Sequence, residues 1–194
     1  MSTLPGIVDA GPHDAELAAD IISDAFEALD AATWLVADPG QRRDVLARDM
    51  LIWTEHALTY GMVNLADDLS AVAVWFPVVE PIPMPADYEE RLDKACGEWA
   101  DRFRALDTTF EANHPHGEAH HHLAFLAVRP GYQGSGVGTA LLNHHHERYA
   151  DMPAYLEASS LGSRRLYLRH GYTDAGEFRL PDGPPLWSMW RPAG

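Results

Sequence analysis

Apolar positions along the chain follow two rhythms, and each change of rhythm marks an element. From Asp14 to Leu29, Leu17, Ile21, Ala25 and Leu29 recur every four positions with Ile22 and Phe26 beside them, which predicts an amphipathic helix. A second helical pattern runs from Gln41 to Leu58. "YGMVNLADD" and "LSAVAVWFPVV" then read as two strands of a hairpin that turns at Asp67-Asp68. Pro81, Pro83 and Pro85 stand at alternate positions and predict an extended connector. After them Leu92, Cys96, Trp99, Phe103, Leu106 and Phe110 alternate steps of four and three, the pattern of one long helix with a single apolar face. Cys96 lies on that face, as a buried structural thiol.

Beyond this helix, "NHPHGE" is a break and "HHHLAFLAV" a strand. A helix follows to about Tyr149, then the strand "PAYLEAS", a short helix stopped by Gly171, and a closing hairpin of "TDAGEFRL" and "PLWSMWR". One short strand is expected near Gly6 to Asp9. This order predicts a mixed α/β (α+β) fold in one domain, residues 1–194, with no internal repeat. The strand–helix–strand unit from His120 to Ser159 is expected to be a right-handed parallel crossover.

Composition narrows the classes of function. A hydrophobic share of 46% and a charged share of 22% suit a globular protein with a real core. No apolar run approaches the roughly 20 residues of a membrane span, and "MSTLPGIVDAGPHD" lacks the basic-then-apolar order of a secretory signal. A single cysteine excludes an internal disulfide framework. A cytoplasmic location is therefore expected. The formal charge of −15 opposes nucleic acid and anionic membranes and attracts cations, so neither is expected as a partner. It favours an amine over a carboxylate as a small-molecule substrate, and a merely solubilising acidic surface explains it equally well.

The strongest local signal is "AVRPGYQGSGVGTALL", where a strand ends and a helix begins. Gly131, Gly134, Gly136 and Gly138 fall within eight residues there, as expected where backbone N–H groups must approach a phosphate. A Walker loop needs a lysine where Val137 stands. The dinucleotide pattern has Thr139 in place of its third glycine, and no acidic ribose partner follows at the expected distance. The pattern that remains is Q-x-x-G-x-G, Gln133 to Gly138, opening a helix.

In that loop the chain resembles the GNAT-superfamily N-acetyltransferases. The likeness extends through "ADDLSAVAVWF", "FLAVRPGYQGSGVGTALL", "MPAYLEASS", "LYLRHGYT" and "LPDGPPLWSMWRP", whose order and spacing are those of the puromycin N-acetyltransferase subgroup. The resemblance implies a central, mostly antiparallel sheet with one splayed parallel strand pair, flanked by helices. It implies acetyl-CoA as cosubstrate. Gln133, Gly134, Ser135, Gly136, Val137, Gly138 and Thr139 would hold its pyrophosphate. Leu126, Ala127 and Val128 would line the pantetheine, with a backbone N–H near Leu126 facing the thioester oxygen. Ser163 stands where the family often has Asn beside the pantetheine, and Arg164-Arg165 either reach the 3′-phosphate or are solvated.

Two residues match the family's chemistry. Tyr167, ten positions after Glu157, would protonate the departing thiolate. Glu157 would deprotonate the acceptor ammonium or only orient it. The acceptor side would draw on Phe26, Trp34, Trp53 and Trp75, aromatic residues that also suit a plain core, and on His122. His120-His121-His122 and His144-His145-His146 invite a metal reading, but neither has the helical i, i+4 spacing of a zinc pair, and no metal is expected. His121 or His122 is a candidate auxiliary base. The activity expected is transfer of acetyl to a small primary amine, with a puromycin-like antibiotic as one candidate, by a monomer or homodimer. A peptide amine as acceptor and a non-catalytic acyl-CoA sensor are the alternatives.

Overall fold

The structure, a computed structural model, describes residues 4–194. Seven strands form one sheet in the order β1-β2-β3-β4-β5-β7-β6. They are β1 (Ile7–Asp9), β2 (Met62–Ala66), β3 (Ala71–Val78), β4 (His120–Val128), β5 (Ala154–Ala158), β6 (Thr173–Arg179) and β7 (Pro185–Arg191). The neighbours pair antiparallel except β4 and β5, which run parallel because a helix connects them. The mixed α/β sheet and its parallel pair are those expected.

Helices α1 (Ala15–Phe26), α2 (Asp30–Leu35), α3 (Pro39–Tyr60), α4 (Tyr88–Cys96) and α5 (Ala100–Asn113) precede β4; α6 (Val137–Arg148) and α7 (Leu161–Arg169) follow it. The start of α3 shows how local sequence sets a boundary. Asp38 accepts from the Gly40 N–H at 2.8 Å and Pro39 supplies the first turn.

Two expected helices are divided. The first ends at Phe26 and resumes as α2. The long helix over Leu92 to Phe110 is interrupted by a 3-10 turn at Gly97–Trp99, with Gly97 at φ +54°. The apolar period survives the break, so Leu92, Cys96 and Phe103 are still buried together.

The central strand β3 is apolar on both faces because both are covered. Val72, Val74 and Phe76 join the core under α1 and α3, while Ala71, Ala73 and Trp75 join a second core under α6. On β4 the register with β3 jumps. Val74 pairs with Phe125 and Trp75 with Leu123, leaving Ala124 unopposed as a bulge. Consequently Leu123 packs in the second core, while both Ala124 and Phe125 turn to the α1 side.

The parallel pairing of β4 with β5 is short: His121, His122 and Leu123 with Ala154, Tyr155 and Leu156. Past these residues β4 keeps only β3 as a neighbour, and β5 keeps only β7. The two strands part there.

Candidate active site

A cavity of about 660 Å³ occupies the gap where β4 and β5 separate. Its lining changes character from one end to the other. One end is the glycine loop, the start of α6 and the start of α7; the other is a set of apolar side chains from α1, α2, α3 and α5.

The loop is held from beneath. Arg129 N–H donates to the Ser70 carbonyl at 2.9 Å, and Gln133 Nε2 donates to the Val128 carbonyl at 3.1 Å. Gly131, Gly134 and Gly136 have φ of +78°, +76° and +97°, the left-handed region in which a Cβ is strained. Gly136 caps α6 and brings no side chain to the cap. The first helical bond closes from Ala140 N–H to the Gly136 carbonyl at 3.0 Å, so Val137, Gly138 and Thr139 present N–H groups that the helix itself does not use. The N-terminus of α7 is different, because the Ser160 Oγ accepts from the Ser163 N–H at 3.1 Å. The free positive helix end therefore belongs to α6.

Between the two ends lie Glu157, on β5, and Tyr167, on α7. The Glu157 side chain is 3% exposed. Its Oε2 lies 2.8 Å from His122 Nε2, and among the described residues its Oε1 has no hydrogen-bond partner. Burial alone would raise the Glu157 carboxyl, but the neighbouring His122, with His114, holds it below the ordinary carboxylate range. Tyr167 is buried, and burial pushes its phenol up, so it stays protonated.

His114 follows α5 directly, and its Nδ1 lies 4.0 Å from Glu157 Oε1. Burial and the adjacent His122 push it down to about 4, so its imidazole is neutral near pH 7. Its tautomer follows from its neighbours. The Glu118 carbonyl only accepts, so His120 Nδ1, 2.7 Å away, carries the proton. Burial lowers His120 as well, leaving a lone pair on its Nε2, and His114 Nε2 donates to it at 3.1 Å. His114 Nδ1 thus turns a lone pair toward the unpartnered carboxylate oxygen.

The apolar end is built from Phe26, Leu29, Leu35, Met50, Leu106 and Phe110, facing Phe125 of the bulged strand. Phe26 meets Phe125 edge-on with ring centroids 6.2 Å apart.

The structure distributes the sequence-based candidates unevenly. Glu157, Tyr167, Leu126, Val128, Gln133, Gly134, Gly136, Val137, Gly138, Thr139, Ser163 and Phe26 all line the cavity. Ala127 does not: it points away from Leu126 and Val128 and is packed in the core under α1 and α3 at 1% exposure. Ser135 belongs to the loop but turns its Oγ back to the Tyr132 carbonyl at 2.5 Å. The Ser163 hydroxyl is engaged in the α7 cap, donating to the Ser160 carbonyl at 3.0 Å. Arg164 is tied to Asp174 at 2.8 Å, and Arg169, one turn further along, lines the cavity instead.

Three expected acceptor residues are corrected. Trp75 is fully buried and stacks on His145 at 3.6 Å, because its place on β3 points it under α6. Trp53 packs against Tyr88 at 5.3 Å, outside the cavity lining. Trp34 donates to the Pro181 carbonyl at 2.9 Å and lies under Arg102, also outside the lining. His122 reaches the site through Glu157 rather than through the cavity wall. Strand alternation places His121 on the other face, against His145 at 3.0 Å. His114 escaped the sequence reading, since "NHPHGE" carries only the signal of a helix break.

The arrangement is a splayed parallel strand pair with a helix N-terminus that has no side-chain cap on one side, and a buried carboxylate and phenol lining the same cavity. Residues 97–174 match a family model described as an Acetyltransferase (GNAT) domain. A solved structure from Corynebacterium glutamicum, described as histone acetyltransferase HPA2 and related acetyltransferase, is 28% identical with a TM-score of 0.69, over 99% of this chain and 98% of that one. A putative GNAT-family acetyltransferase from Desulfovibrio desulfuricans is 18% identical, TM-score 0.58, covering 97% and 99%. Arylalkylamine N-acetyltransferase 2 from Aedes aegypti shares the fold at 12% identity, TM-score 0.63, over 97% and 99%. The domain match and the Corynebacterium glutamicum neighbour support an N-acetyltransferase, and GNAT acetyltransferases use acetyl-CoA. Among the described residues no helix is long and apolar enough to cross a membrane.

Proposed function

We propose that the chain transfers acetyl from acetyl-CoA to the primary amine of a small molecule with an apolar, aromatic-sized body. The observation that carries this reading is the two-ended cavity: helix N–H groups and small polar residues at one end, apolar side chains at the other, Glu157 and Tyr167 between. The donors fit the cosubstrate. The unused N–H groups of Val137, Gly138 and Thr139 suit a pyrophosphate, and an added Cβ at Gly134 would meet no atom within 4 Å, so backbone is open to a ligand there.

Each residue then has a task in direct transfer. Glu157, ionised and backed by His122, takes a proton from the acceptor ammonium and frees the lone pair for attack. The backbone of β4 near Leu126, free of β5, is the donor surface for the thioester oxygen. As the C–N bond forms and the C–S bond breaks, Tyr167 gives its proton to the leaving sulfur. A phenol and a thiol have ordinary pKa values of about 10 and about 8.5, and burial in one cavity raises both, so the match persists. The nitrogen loses its second proton as the amide forms, through solvent to the Tyr167 phenolate, and the Glu157 proton passes to solvent, leaving amide and free thiol.

The apolar end supplies no charged group for a polycation, which favours an arylalkylamine or a puromycin-like amine over an aminoglycoside or a basic peptide. Thiol release from acetyl-CoA with 2-phenylethylamine, puromycin, kanamycin and a lysine-rich peptide tests the reading. Turnover with the first two is expected; turnover confined to kanamycin or the peptide would refute it.

A further inference from the structure

His114, His122 and Glu157 bring one ligand atom each to within 4.8 Å of one another. Among the described residues no other three His, Cys, Asp or Glu side chains come so close. Two observations point to what belongs there. Glu157 Oε1 is enclosed and makes no hydrogen bond among the described residues, and His114 Nδ1 faces it across 4.0 Å, with the Tyr155 hydroxyl also beside the carboxylate. A buried carboxylate oxygen without a hydrogen bond is costly, and a donor or a cation placed against it removes the penalty.

Size decides which. A bridging water or ammonium needs roughly 2.8 Å to each acceptor and room for itself beside the line joining them. Oε1 offers almost no surface for a water-sized neighbour. A small divalent ion bonds at about 2.0–2.2 Å and therefore spans a 4.0 Å gap from within it. Two imidazoles and one carboxylate are the donor set of zinc-class ions rather than of magnesium or calcium. The supporting shell is also in place: His114 Nε2 donates to His120, whose Nδ1 donates to the Glu118 carbonyl. The Tyr155 ring, 4.9 Å from His114 and 5.5 Å from His122, packs between the two ligands.

We propose that His114 Nδ1, His122 Nε2 and Glu157 form a His₂Glu site for a divalent transition-metal ion. His122 joins by giving up the Nε2 proton that it shares with Glu157. A tetrahedral ion wants ligand atoms about 3.3 Å apart. His122 Nε2 is 2.8 Å from Glu157 Oε2 and His114 Nδ1 is 4.0 Å from Glu157 Oε1, and with the three ligand atoms within 4.8 Å of one another an ion would draw them together by at most about 1.5 Å. The ion engages the carboxylate that would otherwise take the amine proton, so it inhibits transfer. That consequence rests on the role given to Glu157 above; the binding does not.

The test is calorimetric titration of Zn²⁺ into protein treated with EDTA, then freed of chelator, CoA and thiols. Wild type is expected to bind one equivalent. His114→Ala and His114→Gln should each weaken binding by about tenfold or more. His116→Ala, an exposed histidine of the same loop, should leave it unchanged. Co²⁺ should give the intense visible ligand-field bands of a low-coordinate site, absent in both His114 variants. No saturable binding, or equal loss in the His116 variant, overturns the site. Acetylation by metal-free protein is scored separately. Zn²⁺ bound at one equivalent with acetylation undiminished, followed by amide product, overturns the inhibition alone.

Discussion

Asp49 offers the clearest quantitative test of the fold's electrostatics. It sits on α3, 3% exposed, with Oδ1 unpartnered among the described residues. Burial first, and the nearby Asp107 second, push its carboxyl from 3.8 up to about 8. In the unfolded chain the same group titrates near 3.9. Folding therefore binds a proton at every pH between these values, and stability falls as pH rises. The contribution is complete below about pH 4, declines by about 1.4 kcal/mol per pH unit, and is exhausted above about pH 8. Between pH 4 and pH 7 the loss is about 4 kcal/mol, a large share of the stability of an ordinary domain. Asp49→Asn is nearly isosteric and cannot ionise. Urea unfolding of both proteins from pH 5 to pH 8 should give curves that diverge, the variant gaining about 1 kcal/mol per unit relative to wild type. The difference curve reports Asp49 together with the groups its charge acts on, Asp107 foremost in this pH range. Parallel curves across that window would show that Asp49 ionises normally in the folded protein, and the reasoning from burial would fail.

Three further outcomes concern the site. Tyr167→Phe should lower kcat by about 10²–10⁴-fold while calorimetry finds acetyl-CoA affinity unchanged; an unchanged kcat would remove Tyr167 from the chemistry. Gly134→Ala places a Cβ at φ +76° with space around it, so strain of about 1 kcal/mol and a methyl on the loop should raise the acetyl-CoA KM several-fold at near-constant kcat. Phe26→Ala should raise the amine KM about tenfold and leave the acetyl-CoA KM alone, whereas Trp53→Ala should lower Tm without moving either KM.

The parts of the site that were legible in the sequence are those carried by contiguous residues. Glycines that must turn and bare their N–H groups announce themselves from Gly131 to Gly138, and Glu157 and Tyr167 follow at a fixed remove on the next strand and helix. The acceptor wall was legible only at Phe26. Trp75 lies on a strand buried on both faces, so alternation carries no information about which side faces the cavity. Trp34 and Trp53 occupy helical positions whose direction depends on how α2 and α3 pack, a tertiary fact. The break at Gly97 was hidden because the 3-10 turn keeps the apolar rhythm in phase. His114 was out of reach for a different reason: its partners His120, His122 and Glu157 belong to two strands brought beside it only by the closed sheet.

The two ends of the cavity come from different stretches of chain. The glycine-loop end is encoded by residues 126–169, and most of the apolar end, the acceptor wall of the proposed reaction, by residues 25–110. A lineage can therefore revise its choice of amine by substitutions in the first four helical walls without disturbing the machinery that handles the acyl donor. For the proposed reaction, the partition makes α1, α2, α3 and α5 the segments to randomise in a directed search for new amines.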